Sequence, residues 1–586
     1  MFSLLLMAAL ACAEPPKHLF IVHPPSLERA ATQWSEHRST QGWSVSRIPW
    51  SGGDAESLRR TLRERVLAAR SPALSSPIPA LDGAAVLLLG DVPAKAGTEG
   101  IPTFRFDQPD RRLQDRRDPT FASDGPYQDL DDDGLPDVML GRVPVTGVDA
   151  AGALLEKIRA AESRTTPHWC VEVVGGEGRF GPYDALLEVL TSSLFLDAVP
   201  PEIPLRVSYA KATSPFCPPP SRLTDTVREQ ALSGAMLFNY IGHGHAEGLD
   251  RLHWRDRALR MLDNTALAPA PEADAGAAAA EAANAFDARP GGIALLVCCN
   301  TGWFDLADRE CFAEALLRHR TGPIAVFAGS RPTHPYANAI VEREGVRRLL
   351  TDRPSTVGAW DLAVTRALAS IERDSLDLLA APIASQQKWP LSLRQMRRQH
   401  ALLYNLLGDP TTLLHHPARS DDASIELLES GEIVGTIAGT NAGTNAGTNA
   451  SIAEISIVEK RRPVRAGVEP APPDAEDLDE RARLTWPRAN EWTLWRAEVP
   501  IVDGRFRVTL PRPLPPGAAH AIVRVEQPRA APANADALAN ASAPANASAP
   551  ANASSAAGAT APSRLVMLRS VDLAPLVRSG RDGQGL

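Results

Sequence analysis

Two stretches of the sequence end in residues that together could do covalent chemistry. The first, Leu237-Phe-Asn-Tyr-Ile-Gly-His-Gly-His245, runs apolar and then presents His243 between Gly242 and Gly244. The second, Leu295-Leu-Val-Cys-Cys-Asn-Thr-Gly-Trp-Phe304, runs apolar and then presents a thiol, with Gly302 close behind. Glycine lets a chain turn sharply and approach a ligand closely. Imidazole titrates near neutrality and can take a thiol proton. The thiolate can then attack a carbonyl, and the same imidazole can return the proton to a leaving amine. The oxyanion so formed needs donors fixed in advance, for which the backbone N–H groups of Gly244 and Cys299 are candidates. A buried cysteine is more often just a small apolar side chain. Two strand-end motifs, each with glycine, weigh against that reading here.

Other residues admit other chemistry. His243, His245 and His253, with Asp256, make a set that could ligate zinc in a metallohydrolase, although Cys299 would then have no task. A non-catalytic secreted binding protein is a further alternative. Asp129-Leu-Asp-Asp-Asp-Gly-Leu-Pro-Asp137 places Asp129, Asp131 and Asp133 like the first half of a calcium loop, with Gly134 for the turn. Leu140 stands where an EF-hand has its closing Glu, and Asp137 is the candidate substitute. Calcium here would be structural; the proposed thiol chemistry needs no cofactor.

The elements that must position these residues are legible as alternating runs. Apolar, strand-like runs occur at 18–23, 84–91, 138–145, 171–176, 235–243, 292–300 and 323–330. Helix-period segments fall at 27–37, 150–162, 185–194 and 307–319. Short runs that are apolar on both faces suit a buried parallel sheet with crossover helices on either side. That predicts a doubly wound α/β/α sandwich over residues 14–416. On such a sheet, ligands gather at the carboxyl ends of the strands. His243 and Cys299, 56 positions apart, would meet there if their strands are consecutive and parallel.

The flanks read differently. Phe2 to Ala13 is almost wholly apolar, and Ala11-Cys12-Ala13 offers a small-x-small cleavage site, so residues 1–13 are expected to be a signal peptide of an exported protein. Cys12 is an alternative lipidation site. Residues 268–288 form an Ala/Pro/Glu-rich insertion. Residues 420–575 contain strand-like runs at 452–458, 492–499 and 505–510. Low-complexity tracts interrupt them at 438–450 and 530–562, and these cannot bury enough apolar area to offset their ordering entropy. A small β-domain with insertions is expected. The formal net charge is −9 over 586 residues, which argues against a nucleic-acid partner. No later run is long enough for a membrane helix. Leaving out Cys12, five of the six cysteines remain, an odd number that leaves a thiol unpaired within the chain.

Tyr240-Ile-Gly-His-Gly244 followed by Cys299-x-x-Gly302-x-Phe304 resembles the gingipain family of caspase-like cysteine peptidases. The resemblance takes in Leu88-Leu-Gly-Asp91, Asp137-Val-Met-Leu-Gly-Arg-Val143, Cys311-Phe-Ala-Glu-Ala-Leu316 and Leu407-Gly-Asp-Pro410, in the family's order. It implies a caspase-like fold of two subdomains, 14–148 and 149–416, followed by an immunoglobulin-like domain. It implies an endopeptidase acting on proteins or peptides, with His243 as catalytic histidine and Cys299, rather than Cys298, as nucleophile. It implies that Glu177, in Gly175-Gly-Glu-Gly178, orients the histidine. It also implies that Asp184 and Glu188 stand where arginine-specific members bind a basic P1 side chain. A sortase-like transpeptidase on the same scaffold stays open, because an amine can release an acyl-thioester as water does.

Overall fold

The seven expected apolar runs before residue 331 all become strands of one ten-stranded sheet, which adds three strands the apolar pattern did not mark, at 44–49, 205–209 and 404–408. A computed structural model describes residues 17–69, 83–94, 98–115, 118–164, 168–178, 198–268, 290–417, 423–437, 452–462, 468–469, 472, 476–527 and 564–576. The sheet strands are β1 (His18–His23), β2 (Ser44–Pro49), β3 (Ala84–Leu89), β4 (Met139–Val143), β5 (His168–Gly175), β6 (Leu205–Tyr209), β7 (Ala235–Ile241), β8 (Ile293–Val297), β9 (Ala325–Gly329) and β10 (Tyr404–Gly408). Their spatial order is β2-β1-β3-β4-β10-β9-β8-β7-β5-β6. Every neighbouring pair is parallel except β9–β10. The sheet is therefore two parallel halves of opposite direction, joined at one antiparallel seam.

Alternate residues of each strand pack on opposite sides, as the period-2 geometry requires. Leu19, Ile21, Leu87, Ala294 and Leu296 share a core with α1 (Glu28–Thr40), α3 (Val148–Glu162), α4 (Leu223–Ala231) and α5 (Phe312–Arg318). Phe20, Val22, Val86 and Leu88 face α2 (Ala55–Ala68) on the other side. That second side also carries α6 (Pro335–Arg347), whose Gly345 packs on Leu295, and α7 (Val357–Ala369), whose Trp360 stacks edge-on to Phe327. Both faces are covered, which is why the strands read as continuous apolar runs. No helix among the described residues is long and apolar enough to cross a membrane.

Several motif residues hold this scaffold together. Asp409 is fully buried and accepts from Arg38 Nε at 2.9 Å, Arg38 Nη2 at 2.7 Å and Trp34 Nε1 at 2.7 Å. Arg142 is buried on Asp124, at 2.6 and 2.8 Å, and also donates to the carbonyls of Gly90 and Ile101. Removing one member of such a pair strands a charge in the interior.

Two expectations change. The predicted helix over 307–319 begins only at Phe312, because Cys311 and Glu314 form a capping box that fixes the first turn there. Residues 461–490, expected in the β-domain, return to the first unit. Their helix α9 (Leu478–Asn490, following α8, Leu393–Leu403) lies along β6. Asn490 Oδ1 accepts from Val207 N at 2.6 Å, and Asn490 Nδ2 donates to Val207 O at 2.9 Å. β6 ends the sheet, and its free backbone groups would otherwise template foreign strands. The predicted signal peptide, the helix at 185–194, the insertion from 269 on and the low-complexity tracts lie outside the described residues.

The second unit comprises 417–460 and 491–586, with residues 164–166. Strands β11 (Ala423–Leu427), β12 (Glu432–Ile437) and β15 (Arg505–Thr509) form one antiparallel sheet. Strands β13 (Ile452–Glu459), β14 (Thr493–Pro500), β16 (Ala518–Gln527) and β17 (Arg564–Asp572) form another, in the order β14-β13-β16-β17. Ile433, Phe506 and Val508 from the first sheet share a core with Ile455, Ile457 and Val523 from the second.

One buried pair beneath the central strands sets a pH dependence. Asn239 on β7 donates to Glu342 on α6 at 2.7 Å, and Glu342 Oε2 has no partner. Burial pushes the Glu342 carboxyl up to about 8 from 4.5, against the Asn239 bond. The folded state thus keeps a proton that the unfolded chain has released between pH 4.5 and 8. Stability from this group is complete below that window and falls as pH rises through it. Glu342→Gln is expected to gain on the order of 2 kcal/mol relative to wild type between pH 5 and pH 8, as measured by denaturant unfolding at the two pH values. An unchanged difference would show that Glu342 does not titrate in this range.

Candidate active site

Three neighbouring parallel strands, β5, β7 and β8, end side by side. Their register pairs Gly175 with Ile241, and Ile241 with Val297. Two residues beyond those pairs come Glu177, His243 and Cys299. Strand spacing is about 4.8 Å, so the three backbones leave the same sheet edge at adjacent positions.

Glycine permits this closeness. A Cβ on Gly242 would lie 2.9 Å from Gly176 Cα and 2.7 Å from the Tyr240 hydroxyl. A Cβ on Gly244 would lie 2.7 Å from the Cys299 carbonyl oxygen and 2.8 Å from Cys298 Sγ. The loop carrying His243 is thus pressed between the tips of β5 and β8. Tyr240, fully buried, donates its hydroxyl to the His243 carbonyl at 2.6 Å and accepts from Asp250 N at 3.2 Å.

The two thiols differ in burial. Cys298 is fully buried with Sγ 3.2 Å from Thr301 Oγ1, and burial pushes its thiol far up. Cys299 is half-buried, whereas Cys170, Cys217, Cys298 and Cys311 are buried. Burial raises the Cys299 thiol as well, but Thr333 opposes it: its backbone N–H donates to Sγ at 3.3 Å, and its Oγ1 lies at 3.7 Å. Asn300 follows with φ +62°, a left-handed turn that non-glycine residues seldom take. The turn brings Thr301 N onto the Cys299 carbonyl at 2.8 Å and Asn300 N onto the Arg331 carbonyl at 3.3 Å.

Residues the sequence reading passed over complete the surroundings. Arg331, buried, grips Asp305 with two bonds of 2.8 Å, reaches Asp118 at 2.8 Å and stacks on Trp303 at 4.0 Å from the ring centroid. It ties the loop after β8 to the loop after β9. The signal for Arg331 and Thr333 was the one used for His243: both follow a buried strand at the same sheet edge.

The remaining candidates are placed as follows. Glu177, half-buried, accepts from His253 N at 3.2 Å and pairs with His253 Nδ1 at 2.7 Å. Asp184 and Glu188 lie outside the described residues. Asp129, Asp131 and Asp137 bring carboxylate oxygens within 4.8 Å of one another. Asp133 instead turns its Oδ1 to Leu135 N at 2.7 Å. Burial raises both the Asp129 and Asp137 carboxyls, and neighbouring aspartates add to it. Hard oxygen donors that repel one another fit a calcium-type cation. Among the described residues this is the one cluster of its kind, and the set His243, His245, His253 and Asp256 does not converge as a metal site.

The sequence profile of Peptidase family C25 matches residues 13–415. The chain belongs to this family, the gingipains. It is therefore a cysteine-type peptidase whose substrates are proteins or peptides, and the zinc and non-catalytic readings fall away. Among solved structures it is similar to the Arg-specific cysteine proteinase gingipain R (15% identity, TM-score 0.45, covering 88% of this chain and 96% of that one). It is also similar to the complex of pro- and mature domains of RgpB from Porphyromonas gingivalis (13%, TM-score 0.45, 87% and 96%). Dimeric latent PorU from the same organism is a more distant likeness (12%, TM-score 0.29, 88% and 41%). Among curated proteins, none matches the chain.

Proposed function

We propose that the protein is an exported endopeptidase in which His243 and Cys299 form the catalytic dyad. The observation that carries this is the shared register of β7 and β8, which sets the two residues at adjacent positions of one sheet edge. His243 takes the Cys299 proton, and the thiolate adds to the scissile carbonyl. The backbone N–H groups of Gly244 and Cys299 receive the oxyanion. The C–N bond breaks as His243 protonates the amine, leaving a thioester. Water, deprotonated by His243, then releases the acid and restores the thiol. An amine in place of water would make the same thioester a transpeptidation intermediate. Glu177, in line with His243 and anchored on His253, serves to orient the imidazole. The likeness of Asp184 and Glu188 to the arginine-specific members supports a basic P1 residue. Seven antiparallel strands in two sheets support an immunoglobulin-like second unit.

Cys299→Ala is expected to fold and to lose all measurable cleavage of a peptide library, and His243→Ala to lose at least ~1000-fold in kcat/KM. Wild-type turnover should cease with iodoacetamide and concentrate on Arg or Lys at P1. Turnover by Cys299→Ala, or inhibition by chelators alone, would contradict the dyad. We further propose calcium as a structural ion held by Asp129, Asp131 and Asp137. Millimolar calcium should raise the melting temperature by about 3 °C, and Asp137→Asn should abolish the rise; identical melting in calcium and in chelator would exclude the site.

A further inference from the structure

The sulfur of Cys299 lies at the end of a hydrogen-bonded chain that the dyad leaves unused. Tyr404, buried on β10, donates its hydroxyl to Asn338 Oδ1 at 2.9 Å. This bond turns the amide so that Asn338 Nδ2 donates to Thr333 Oγ1 at 2.9 Å. Thr333, itself buried, sits beside Cys299 with its N–H at 3.3 Å from Sγ, Oγ1 at 3.7 Å and carbonyl oxygen at 3.8 Å. A hydroxyl has one proton to give. With its oxygen already accepting from Asn338, Thr333 has one proton to give, and both Cys299 Sγ and the Tyr404 oxygen lie within its reach. The first two steps donate from Tyr404 towards Cys299, and the last does so when the Thr333 hydroxyl turns to the sulfur.

We propose that Thr333 is a second donor to the nucleophile, and that Asn338 and Tyr404 are positioning residues that aim its hydroxyl at Sγ so that the thiolate is favoured over the thiol. The inference rests on the reading of Cys299 as nucleophile. In the thiol form the S–H has the Thr333 carbonyl as acceptor. In the thiolate form the sulfur takes the Thr333 N–H and O–H, and charge-assisted bonds of this kind are the stronger. The backbone N–H survives any side-chain substitution, so the hydroxyl's share can be measured separately. Titratable neighbours do not confound it. Cys298 just before it, Tyr240 on β7 and Tyr404 on β10 all interact with Cys299, and burial pushes all three far up, so they stay protonated at neutral pH. In the dyad proposed above the other partner is the His243 imidazole, which none of the variants below touches.

The test uses the full chain. The rate of iodoacetamide alkylation at Cys299, located by peptide mass mapping, is followed from pH 5 to 10 in wild type, Thr333→Val, Thr333→Ser and Asn338→Ala. kcat and KM are measured in parallel on one peptide substrate. Thr333→Val should raise the Cys299 titration by about one unit and lower kcat about tenfold at neutral pH, with KM within about twofold. Thr333→Ser should restore both. Asn338→Ala should shift both in the same direction by less, and it carries the test if Thr333→Val does not fold. A Thr333→Val profile that overlays wild type overturns the proposal, as does a Thr333→Ser variant as impaired as the valine. If Cys299→Ala is inactive and Thr333→Val is normal, only the role of the hydroxyl fails. If Cys299→Ala keeps full turnover, the dyad itself fails, and this proposal with it.

Discussion

Parallel pairing of β5, β7 and β8 in a single register is the constraint on which the rest depends. In a parallel ladder the chain direction is shared, so residues equally far beyond a paired position emerge at the same edge. Ile241 is paired with Gly175 on one side and with Val297 on the other. Glu177, His243 and Cys299 inherit that alignment. A slip of one residue in β8 would exchange Cys299 for Cys298 at this edge and turn the half-buried thiol into the core.

The scaffold around the edge is costly in polar terms, and the costs have a pattern. Glu342 lies under β7 and Asp361 beside Gln128, and burial raises their carboxyls to about 8 and about 7. Burial also raises Glu314, to about 8, with Asp91 adding to it, while Glu314 closes the first turn of α5. Three buried arginines, by contrast, pair with carboxylates: Arg38 with Asp409, Arg142 with Asp124, Arg331 with Asp305. The arginine pairs fasten the loops that leave the strand ends. Of these carboxyls, Glu342 links helix α6 to strand β7 through Asn239. A peptidase needs its nucleophile and base held within narrow limits, and these buried groups supply such restraint.

Much of this was legible before any coordinates. Buried strands announced themselves as unbroken apolar runs, because both faces of the sheet are covered. The glycines beside His243 were informative because the strand tips approach too closely for a Cβ. Long-range partners were not legible. The run before Thr333 puts it at the sheet edge, but nothing local marks it as a contact of Cys299, or Tyr404 as the start of a donor chain, since those contacts exist only once β8, β9 and β10 pair in that order. Helix α9 escaped for a related reason. Its sequence lies among low-complexity tracts, and its role, covering the exposed backbone of β6, is set by an edge that sequence pattern does not reveal. Asp133 fitted the calcium spacing, yet the carboxylates that converge are those of Asp129, Asp131 and Asp137.

The account stands on His243 ionising one particular sulfur. Thiolate absorbance near 240 nm, taken as the difference between wild type and Cys299→Ala, isolates that sulfur from the buried thiols. The account predicts a band present at neutral pH that disappears in acid, and its absence at neutral pH in His243→Ala, where it should return only in alkali. An equal band with and without the imidazole, or none in wild type, would contradict it.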